Sequence, residues 1–301
     1  MKVIEVTNLH KRYREHVAVD DVSFAVDAGE IFGVLGPNGA GKTTTVECVA
    51  GLRAPSGGTI RVGGHDPVRE RDAVRRLLGA QLQSAALPEK IKVWEALDLF
   101  ASFYPDPADW RALLDMVGLS DKRNTAFAKL SGGQRQRLSV ALALVGRPRV
   151  AVLDELTTGL DPQARRDTWD LIEQVRADGV TIVLVTHFME EAERLCDRVA
   201  LISAGRVVAL DSPNALIGQV EAAQQVRFRP SAPVDDAVLL AVPQVTGVLR
   251  NGEQITVTGS GDLAPAVTLA LAEKQIIPTD LRIERATLED VFLTLTGRSL
   301  A

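Results

Sequence analysis

Two short segments of this 301-residue chain carry groups suited to binding phosphate. The first, GPNGAGKT at 36–43, follows the apolar run EIFGVL. Its glycines leave backbone N–H groups free to surround phosphate oxygens, and a helix that starts there adds its positive dipole end. Lys42 is expected to reach the β- and γ-phosphates of a nucleotide, and Thr43 to bind Mg²⁺ through its hydroxyl. The strand–loop–helix setting favours a phosphate loop over a chance glycine-rich turn.

Acidic residues and a histidine end two further apolar runs. In VAVLDE at 150–155, a strand that ends in Asp154 would bring a carboxylate to the metal at the carboxyl edge of the sheet. Glu155 can then polarise an attacking water. His187 ends the run TIVLVTH and can hydrogen-bond a γ-phosphate or orient the water. Alone, an acidic loop or a single histidine is an ordinary feature, and the pairing with the phosphate loop is what favours function.

The second phosphate-binding candidate is KLSGGQRQRL at 129–138. Ser131 is predicted to cap a helix there, and Gly132 and Gly133 to expose backbone N–H groups. The stretch holds no general base, no set of metal ligands and no strong nucleophile. We therefore expect it to bind an anion without doing chemistry itself.

Composition limits the function classes. A net charge of −5 argues against a general nucleic-acid binder, because no basic excess is available for phosphate contacts. The two cysteines, Cys48 and Cys196, are too few for a disulfide framework and fit a reducing compartment. The first residues lack the apolar region of a signal peptide, and no run approaches the roughly 18 apolar residues that span a bilayer. If the protein serves a membrane, we expect another polypeptide to cross it.

The elements that must position these residues follow from hydrophobic patterning. Strands alternating with helices around the phosphate loop predict a mostly parallel α/β sheet, with antiparallel strands in the first eighty residues. A helical subdomain is predicted at about 84–147. After a linker helix near 212–225, the order β-α-β-β-α-β predicts a small α+β domain of the ferredoxin-like type. The predicted domains are residues 1–215 and 216–301.

Together, the motifs resemble those of the nucleotide-binding subunits of ATP-binding cassette (ABC) transporters. GPNGAGKTT resembles the family's Walker A motif, LSGGQ its signature, VAVLDE its Walker B motif with the catalytic glutamate, and VTH its switch histidine. They occur in the family's order over roughly residues 1–215. The resemblance implies the P-loop NTPase fold of the ABC cassette, ATP and Mg²⁺ as ligands, and an ATPase that powers transport.

The resemblance also assigns single residues. Tyr13 takes the place of the aromatic residue that stacks on adenine, with a tyrosine at a strand edge as the alternative. Gln83 takes the place of the Q-loop glutamine, which touches Mg²⁺ and senses the membrane partner. Gln81 is a rival, and the spacing to VWEAL favours Gln83. Asp161 fits the D-loop, which passes between two ATP sites.

The full set of expected site residues follows from these assignments. The catalytic residues are Glu155, His187 and Gln83, and the metal ligands are Thr43, Gln83 and Asp154. The nucleotide-binding residues are Tyr13, Gly36, Pro37, Asn38, Gly39, Ala40, Gly41, Lys42, Thr43 and Thr44. In the family, the signature completes the ATP site of the opposite subunit, so the contacts expected in trans are Ser131, Gly132, Gly133 and Gln134.

The partners and location are implied in the same way. Two copies are expected to enclose two ATP molecules head to tail and to act on a separate transmembrane permease. The location implied is cytoplasmic, on the inner face of the cell membrane, with no nucleic acid bound. Two residues depart from the family pattern: Leu156 stands where proline usually follows the catalytic glutamate, and Lys92 where threonine often precedes Val93.

The C-terminal stretch ATLEDVFLTLTGR at 286–298 resembles the end of ATPase subunits from bacterial ABC-2-type exporters, including drug-resistance pumps. This favours export over import. The pattern also predicts an amphipathic helix packed on the small domain through Leu288, Val291, Phe292 and Leu295.

Two other function classes compete with the transporter. The first is a soluble cassette protein acting on ribosomes or DNA, which usually carries tandem cassettes, long coiled coils or zinc motifs that this sequence lacks. The second is a P-loop kinase for a small molecule, in which LSGGQ would have no role.

Overall fold

This computed structural model describes residues 1–82, 87–219, 224–284 and 286–297. The chain divides into two compact units, of which the first is Met1–Pro213 and the second begins at Asn214. Within the described ranges, every helix is too short or too polar to cross a membrane. Gln83, predicted to be catalytic and metal-binding, lies outside the described residues.

The first unit holds a three-stranded and a six-stranded sheet. Its strands are β1 (Lys2–Tyr13), β2 (His16–Asp27), β3 (Ile31–Leu35), β4 (Gly57–Val62), β5 (Leu78–Gln81), β6 (Val150–Asp154), β7 (Thr181–Thr186), β8 (Arg198–Ser203) and β9 (Arg206–Asp211). Its helices are α1 (Lys42–Val49), α2 (Arg71–Leu77), α3 (Val93–Ala101), α4 (Trp110–Met116), α5 (Gly132–Leu144), α6 (Pro162–Ala177) and α7 (Met189–Leu195). A further helix, α8 (Pro213–Gln219), starts where the units divide.

The six-stranded sheet has the order β5-β6-β7-β3-β8-β9, and all of its neighbouring pairs are parallel except β8 with β9. Strands β3, β6 and β7 are buried along their whole length, which explains why they are uninterrupted apolar runs in the sequence. The mostly parallel sheet predicted from the sequence is confirmed. Because β6, β7 and β3 are parallel neighbours, the loops that follow them start at one edge of the sheet.

The three-stranded sheet is antiparallel, with the order β2-β1-β4. Its buried side chains share one apolar core with β3, and Phe24 stacks on Phe32 with ring centroids 5.2 Å apart. This packing fixes the end of β1, where Tyr13 lies, relative to the helix that follows β3.

Helices α3, α4 and α5 are inserted between β5 and β6, within the region predicted to be helical. At the start of α3, the Lys92 side chain caps nothing, and the Lys92 backbone N–H donates instead to the Glu95 carboxylate at 2.9 Å. A threonine at position 92 could accept a hydrogen bond from the helix start, so Lys92 leaves Glu95 as the capping group.

The second unit contains β10 (Gln224–Pro230), α9 (Asp236–Leu240), β11 (Val245–Asn251), β12 (Gln254–Gly259), α10 (Leu263–Glu273), β13 (Pro278–Glu284) and α11 (Leu288–Thr296). Its antiparallel sheet has the order β11-β12-β10-β13, and its core lies between that sheet and α9 and α10. The predicted β-α-β-β-α-β, ferredoxin-like arrangement is confirmed.

The last helix, α11, differs in one respect from its predicted packing. Leu288, Val291 and Phe292 are buried as expected, whereas Leu295 is 49% exposed. Leu295 lies seven residues after Leu288, so at 100° per residue its Cα is turned only about 20° from that of the buried Leu288. It therefore lies on the buried side of the helix, and its exposure belongs to the last turn, since α11 ends at Thr296.

Candidate active site

The loop after β3 requires glycine at two places. Gly36 has φ 153°, and a Cβ there would lie 2.1 Å from the carbonyl oxygen of Ile202. Gly41 has φ 101°, and a Cβ there would lie 2.4 Å from the carbonyl oxygen of Ala18. Any side chain at these positions would clash with backbone, which is fixed by two different strands. The sheet packing therefore imposes the shape of the phosphate loop.

Lys42, the first residue of α1, lies inside this loop and is 4% exposed. Its Nζ donates to the carbonyl oxygens of Gly36 at 2.7 Å and Pro37 at 3.0 Å. Burial lowers the pKa of Lys42, while the nearby Glu155 and Asp154 carboxylates raise it. The structure therefore brings the predicted phosphate-binding cation and the two predicted acids into one electrostatic cluster.

Asp154 ends β6 and is completely buried. Burial raises its pKa to about 6, and the Thr43 hydroxyl acts in the opposite direction. Neither of its carboxylate oxygens has a protein hydrogen-bond partner of good geometry among the described residues. An unpartnered buried carboxylate beside a hydroxyl is a suitable oxygen donor set for Mg²⁺. Of the predicted metal ligands, Thr43 and Asp154 are thus close together, and Gln83 is not described.

Gln81, the rival to Gln83, is the last residue of β5 and is 6% exposed. Its Oε1 accepts a hydrogen bond from the backbone N–H of Asp154 at 3.1 Å. The side chain therefore ties the ends of two neighbouring strands together directly behind the acidic pair.

Glu155 and His187 follow the neighbouring strands β6 and β7, and their side chains meet. His187 Nδ1 lies 3.5 Å from Glu155 Oε1, and the Glu155 side chain is only 10% exposed. The backbone N–H of Glu155 donates to the carbonyl oxygen of Val185 at 2.9 Å. Glu155 has φ 51°, an uncommon conformation for a residue other than glycine. The backbone thus turns sharply after β6, and the turn is held by β7.

Ser131 caps α5, as the sequence predicts. Its Oγ accepts from the Gln134 N–H at 3.3 Å, and its own N–H donates to Gln134 Oε1 at 3.0 Å, which completes a capping box. Ser131 and Gly132 are exposed on the single chain. A Cβ on Gly133 would lie 3.4 Å from the Ala164 Cβ, in ordinary contact distance of α6.

A cavity of about 310 Å³ separates the start of α5 from the acidic pair. Gln81, Asp154 and Glu155 line one side, and the side chains of Arg135 and Ser139 on α5 line another. The signature helix of each chain therefore borders the space beside that chain's own carboxylates. The described contacts of Ser131 itself are those of a helix cap.

The segment after Glu155 is held by a buried leucine and a cap. Leu156 is fully buried, so the residue that replaces the family's proline anchors the turn through apolar packing. Asp161 accepts hydrogen bonds from the N–H groups of Gln163 at 3.0 Å and Ala164 at 2.9 Å and thereby caps α6. The D-loop is thus attached rigidly to the first turn of α6.

Tyr13, at the end of β1, is half-buried and has two cations near its ring. Lys11 Nζ lies 5.0 Å and the Arg53 guanidinium carbon 5.6 Å from the centre of its ring. Arg53 is itself paired with Glu47 on α1. Sequence reasoning missed these flanking cations, because neither occurs in a recognisable motif.

Known proteins resemble the chain along nearly its whole length. The family model for ABC transporters matches residues 19–158. The Nod factor export ATP-binding protein I of Ralstonia nicotianae is 38% identical over 305 residues, covering 99% of this chain and 95% of that protein. The chain belongs to the ATP-binding proteins of ABC transporters.

A second relative of this ABC ATPase is the daunorubicin resistance ATP-binding protein DrrA3 of Streptomyces coeruleorubidus, 38% identical over 98% of this chain and 96% of the relative. A solved structure, a dimeric bacterial ABC transporter cassette, superposes with a TM-score of 0.64 at 26% identity, covering 69% of this chain and 98% of that one. The predicted ABC ATPase fold and function are confirmed: the protein binds and hydrolyses ATP in a transport system.

Proposed function

We propose that this ABC ATPase drives an exporter by closing a head-to-tail homodimer around two ATP molecules. Export is supported by the names of the relatives, a Nod factor export protein and a daunorubicin resistance protein. Residues 1–215 act as the ATPase domain and residues 216–301 as an accessory domain. The protein works at the inner face of the cell membrane, where a separate permease holds it.

ATP binding begins with the phosphate loop. Lys42 already points its ammonium at two loop carbonyls, and the β- and γ-phosphates offer that ammonium stronger, charged acceptors. The N–H groups of Gly36 and of residues 38–44 surround the phosphates, with Pro37 contributing none, and Tyr13 stacks on the adenine.

Thr43 and Asp154 hold Mg²⁺, with Gln83 as a further ligand. When bound, the metal neutralises charge on the phosphate oxygens. Asp154 would then have a second positive charge beside that of Lys42, which would offset part of the cost of burying its carboxylate.

Hydrolysis requires a water aligned with the γ-phosphate. Glu155 accepts a hydrogen bond from that water and orients it, while His187, 3.5 Å from Glu155, fixes the carboxylate and faces the γ-phosphate. The single observation that carries this proposal is the convergence of Lys42, Asp154, Glu155 and His187 at the carboxyl edge of three adjacent parallel strands.

The signature acts on the partner's nucleotide. Ser131 and Gly132 are exposed on the single chain at the N-terminus of α5, where a helix end can bind a phosphate from another molecule. Gly133 and Gln134 supply further donors. The dimeric cassette of similar fold supports an assembly in which two such surfaces face each other.

Glu155→Gln tests the closed dimer, because it removes the carboxylate that orients the water and leaves the phosphate loop intact. With ATP and Mg²⁺, we expect light scattering after gel filtration to show a stable dimer and ATPase activity to fall by about 100-fold or more. A variant that stays monomeric with ATP and hydrolyses it at the wild-type rate would contradict the proposal.

Ser131→Arg tests the action in trans. The added cationic side chain should block the partner's γ-phosphate and abolish ATPase activity and dimer formation, while binding of a fluorescent ATP analogue stays within about threefold of wild type. Ser102→Arg is the matched control, because it places the same group at an exposed serine at the end of α3. Hydrolysis of ATP by Ser131→Arg at the wild-type rate would contradict the action of Ser131 on the partner's nucleotide.

Affinity purification from membranes tests the permease. We expect a membrane-spanning protein to copurify with the chain in detergent and to stimulate its ATPase activity. Recovery of ribosomes or DNA in place of such a protein would favour the alternative function, a soluble cassette protein that acts on ribosomes or DNA.

A further inference from the structure

A buried carboxylate lies behind Glu155 and His187, in a place that the mechanism above leaves unused. Glu191, in the first turn of α7, has no exposed surface. The indole Nε1 of Trp169, on α6, donates a hydrogen bond to Glu191 Oε1 at 3.1 Å. In the sequence MEEAER this glutamate resembles a solvated helix face, which is why sequence reasoning passed over it.

Two threonine hydroxyls lie beside the same carboxylate. Burial raises the pKa of Glu191, while the hydroxyls of Thr186 and Thr157 and the indole of Trp169 act to lower it. Arg165 adds a more distant positive charge, and its guanidinium carbon lies 4.9 Å from the centre of the Phe188 ring. The cluster therefore brings polar groups from three separate segments, the end of β7, the loop after β6 and α6, around one acid on α7.

These segments are the ones that carry the proposed reaction. Thr157 comes two residues after Glu155, and Thr186 immediately precedes His187. The Thr186 hydroxyl also accepts the Phe188 N–H at 3.0 Å, which shapes the loop that holds the histidine. Trp169 lies on α6, whose first turn is capped by Asp161 of the D-loop.

The free-energy cost of burying Glu191 favours a role for this residue beyond packing. Burying a carboxylate among these groups is costly, and an apolar side chain of similar size often fills such a site with equal or greater stability. What the acid supplies and an apolar residue cannot is an acceptor for the Trp169 indole N–H on α6, with a negative charge close to the Thr186 and Thr157 hydroxyls.

We propose that Glu191 is a positioning residue that holds the loops of Glu155 and His187 in register with α6. The proposal rests on the roles given above to Glu155 and His187. Asp161 of the D-loop caps α6, and Trp169 on α6 donates to Glu191. A movement of the D-loop at the dimer interface is therefore transmitted through α6 and Glu191 to the loops of Glu155 and His187. Glu191 touches neither ATP nor water itself and acts on the rate of hydrolysis through those two residues.

Two variants and one control test this inference in the full-length protein. Glu191→Gln keeps the shape of the side chain and removes its charge, and Trp169→Phe removes the one indole donor. Glu30→Gln is the control, because Glu30 is also a largely buried acid. Its Oε1 accepts a hydrogen bond from the Asp27 N–H at 2.7 Å. Glu30 lies just before β3, at the end of the sheet away from the phosphate loop. The measurements are kcat and KM for ATP, and unfolding by urea.

We expect both test variants to lower kcat by about tenfold or more, because a misplacement of about 1 Å at a reacting group can cost about 100-fold. KM for ATP should stay within about twofold, and the control should keep the wild-type kcat. The double variant should lose less activity than the product of the two single losses, since both changes act on the same side-chain cluster.

Three results would overturn the inference. One is a wild-type kcat in both variants. Another is an equal loss of kcat in Glu30→Gln, which would show a general effect of destabilisation. The last is a rise in KM at constant kcat. If Glu191→Gln does not fold, Trp169→Phe decides alone. Failure of the proposed function is separate, since it would show as loss of ATP-trapped dimer in Glu155→Gln with Glu191 unchanged.

Discussion

Replacing Asp154 by asparagine should stabilise the protein when nucleotide and metal are absent, although it should abolish ATP hydrolysis. The carboxylate is fully buried, has no hydrogen-bond partner of good geometry among the described residues, and has its pKa raised from an ordinary 3.8 to about 6. A tenfold change in a protonation equilibrium corresponds to about 1.4 kcal/mol, so ionised Asp154 costs the fold about 3 kcal/mol at pH 8. A buried asparagine amide without hydrogen-bond partners is itself unfavourable and cancels part of this gain. The net increase in the free energy of unfolding is about 1–2 kcal/mol.

The pKa of Asp154 also predicts in which direction the stability difference between the wild type and the asparagine variant changes with pH. Because the folded-state pKa is raised, the folded protein binds more protons than the unfolded chain between about pH 4 and pH 6. The contribution of Asp154 is therefore most favourable below pH 4 and is lost as the pH rises through 6. The advantage of the asparagine variant should fall by about 2 kcal/mol between pH 8 and pH 4.5.

Urea unfolding in EDTA, followed by tryptophan fluorescence, measures the effect. All three tryptophans, Trp94, Trp110 and Trp169, lie in the first unit, so their signal reports on the unit that contains Asp154. Adding ATP and Mg²⁺ at 100 times their dissociation constant should stabilise the wild type by about 2.7 kcal/mol and the variant by much less. The order of stability should therefore reverse.

A variant that is less stable than the wild type at both pH 8 and pH 4.5 would refute the reasoning. It would show that the carboxylate has favourable contacts in the metal-free protein. Asp235→Asn is a useful control, because that residue caps α9 in the second unit and should leave the tryptophan transition unchanged.

Further predictions concern the loop, the caps and the thiols. Gly36→Ala should lose detectable binding of a fluorescent ATP analogue, because its Cβ would lie 2.1 Å from the Ile202 carbonyl oxygen; wild-type affinity would contradict the rigid loop. Asp161→Ala should lower the free energy of unfolding of the first unit by about 1 kcal/mol through loss of the α6 cap, and an unchanged urea midpoint would argue against that cap. Cys48 is buried and burial raises its pKa to about 11, so mass spectrometry should find it unmodified by iodoacetamide at pH 8 until urea unfolds the protein; rapid alkylation of the folded protein would show that the core opens.

Several features were determined by local sequence. The phosphate loop, the apolar strands ending at Asp154 and Thr186 and the cap at Ser131 each depend on residues close together in the chain, so their patterns predict them. The β-α-β-β-α-β order of the second unit was also visible, because each of its elements has its own hydrophobic period.

Strands β5, β8 and β9 were not predicted. The four-residue β5 and the β9 strand, which lacks a buried run, have patterns that resemble those of loops. In contrast, β8 has four buried residues in succession, a strand pattern that sequence reasoning overlooked. The segments of β5 and β9 become strands because neighbours in the sheet pair with them, a contribution that local pattern does not contain.

Tertiary structure alone decided how the site is held together. The sequence shows that Lys42, Glu155 and His187 have the right chemistry, and only the strand order β6-β7-β3 brings them to one edge. The support of Gln81 for the Asp154 backbone and the burial of Glu191 against Trp169 join residues 73 and 22 positions apart. Such contacts leave no periodic trace, because a polar residue at the end of a strand or on a short helix looks the same whether it meets water or a partner from elsewhere in the chain.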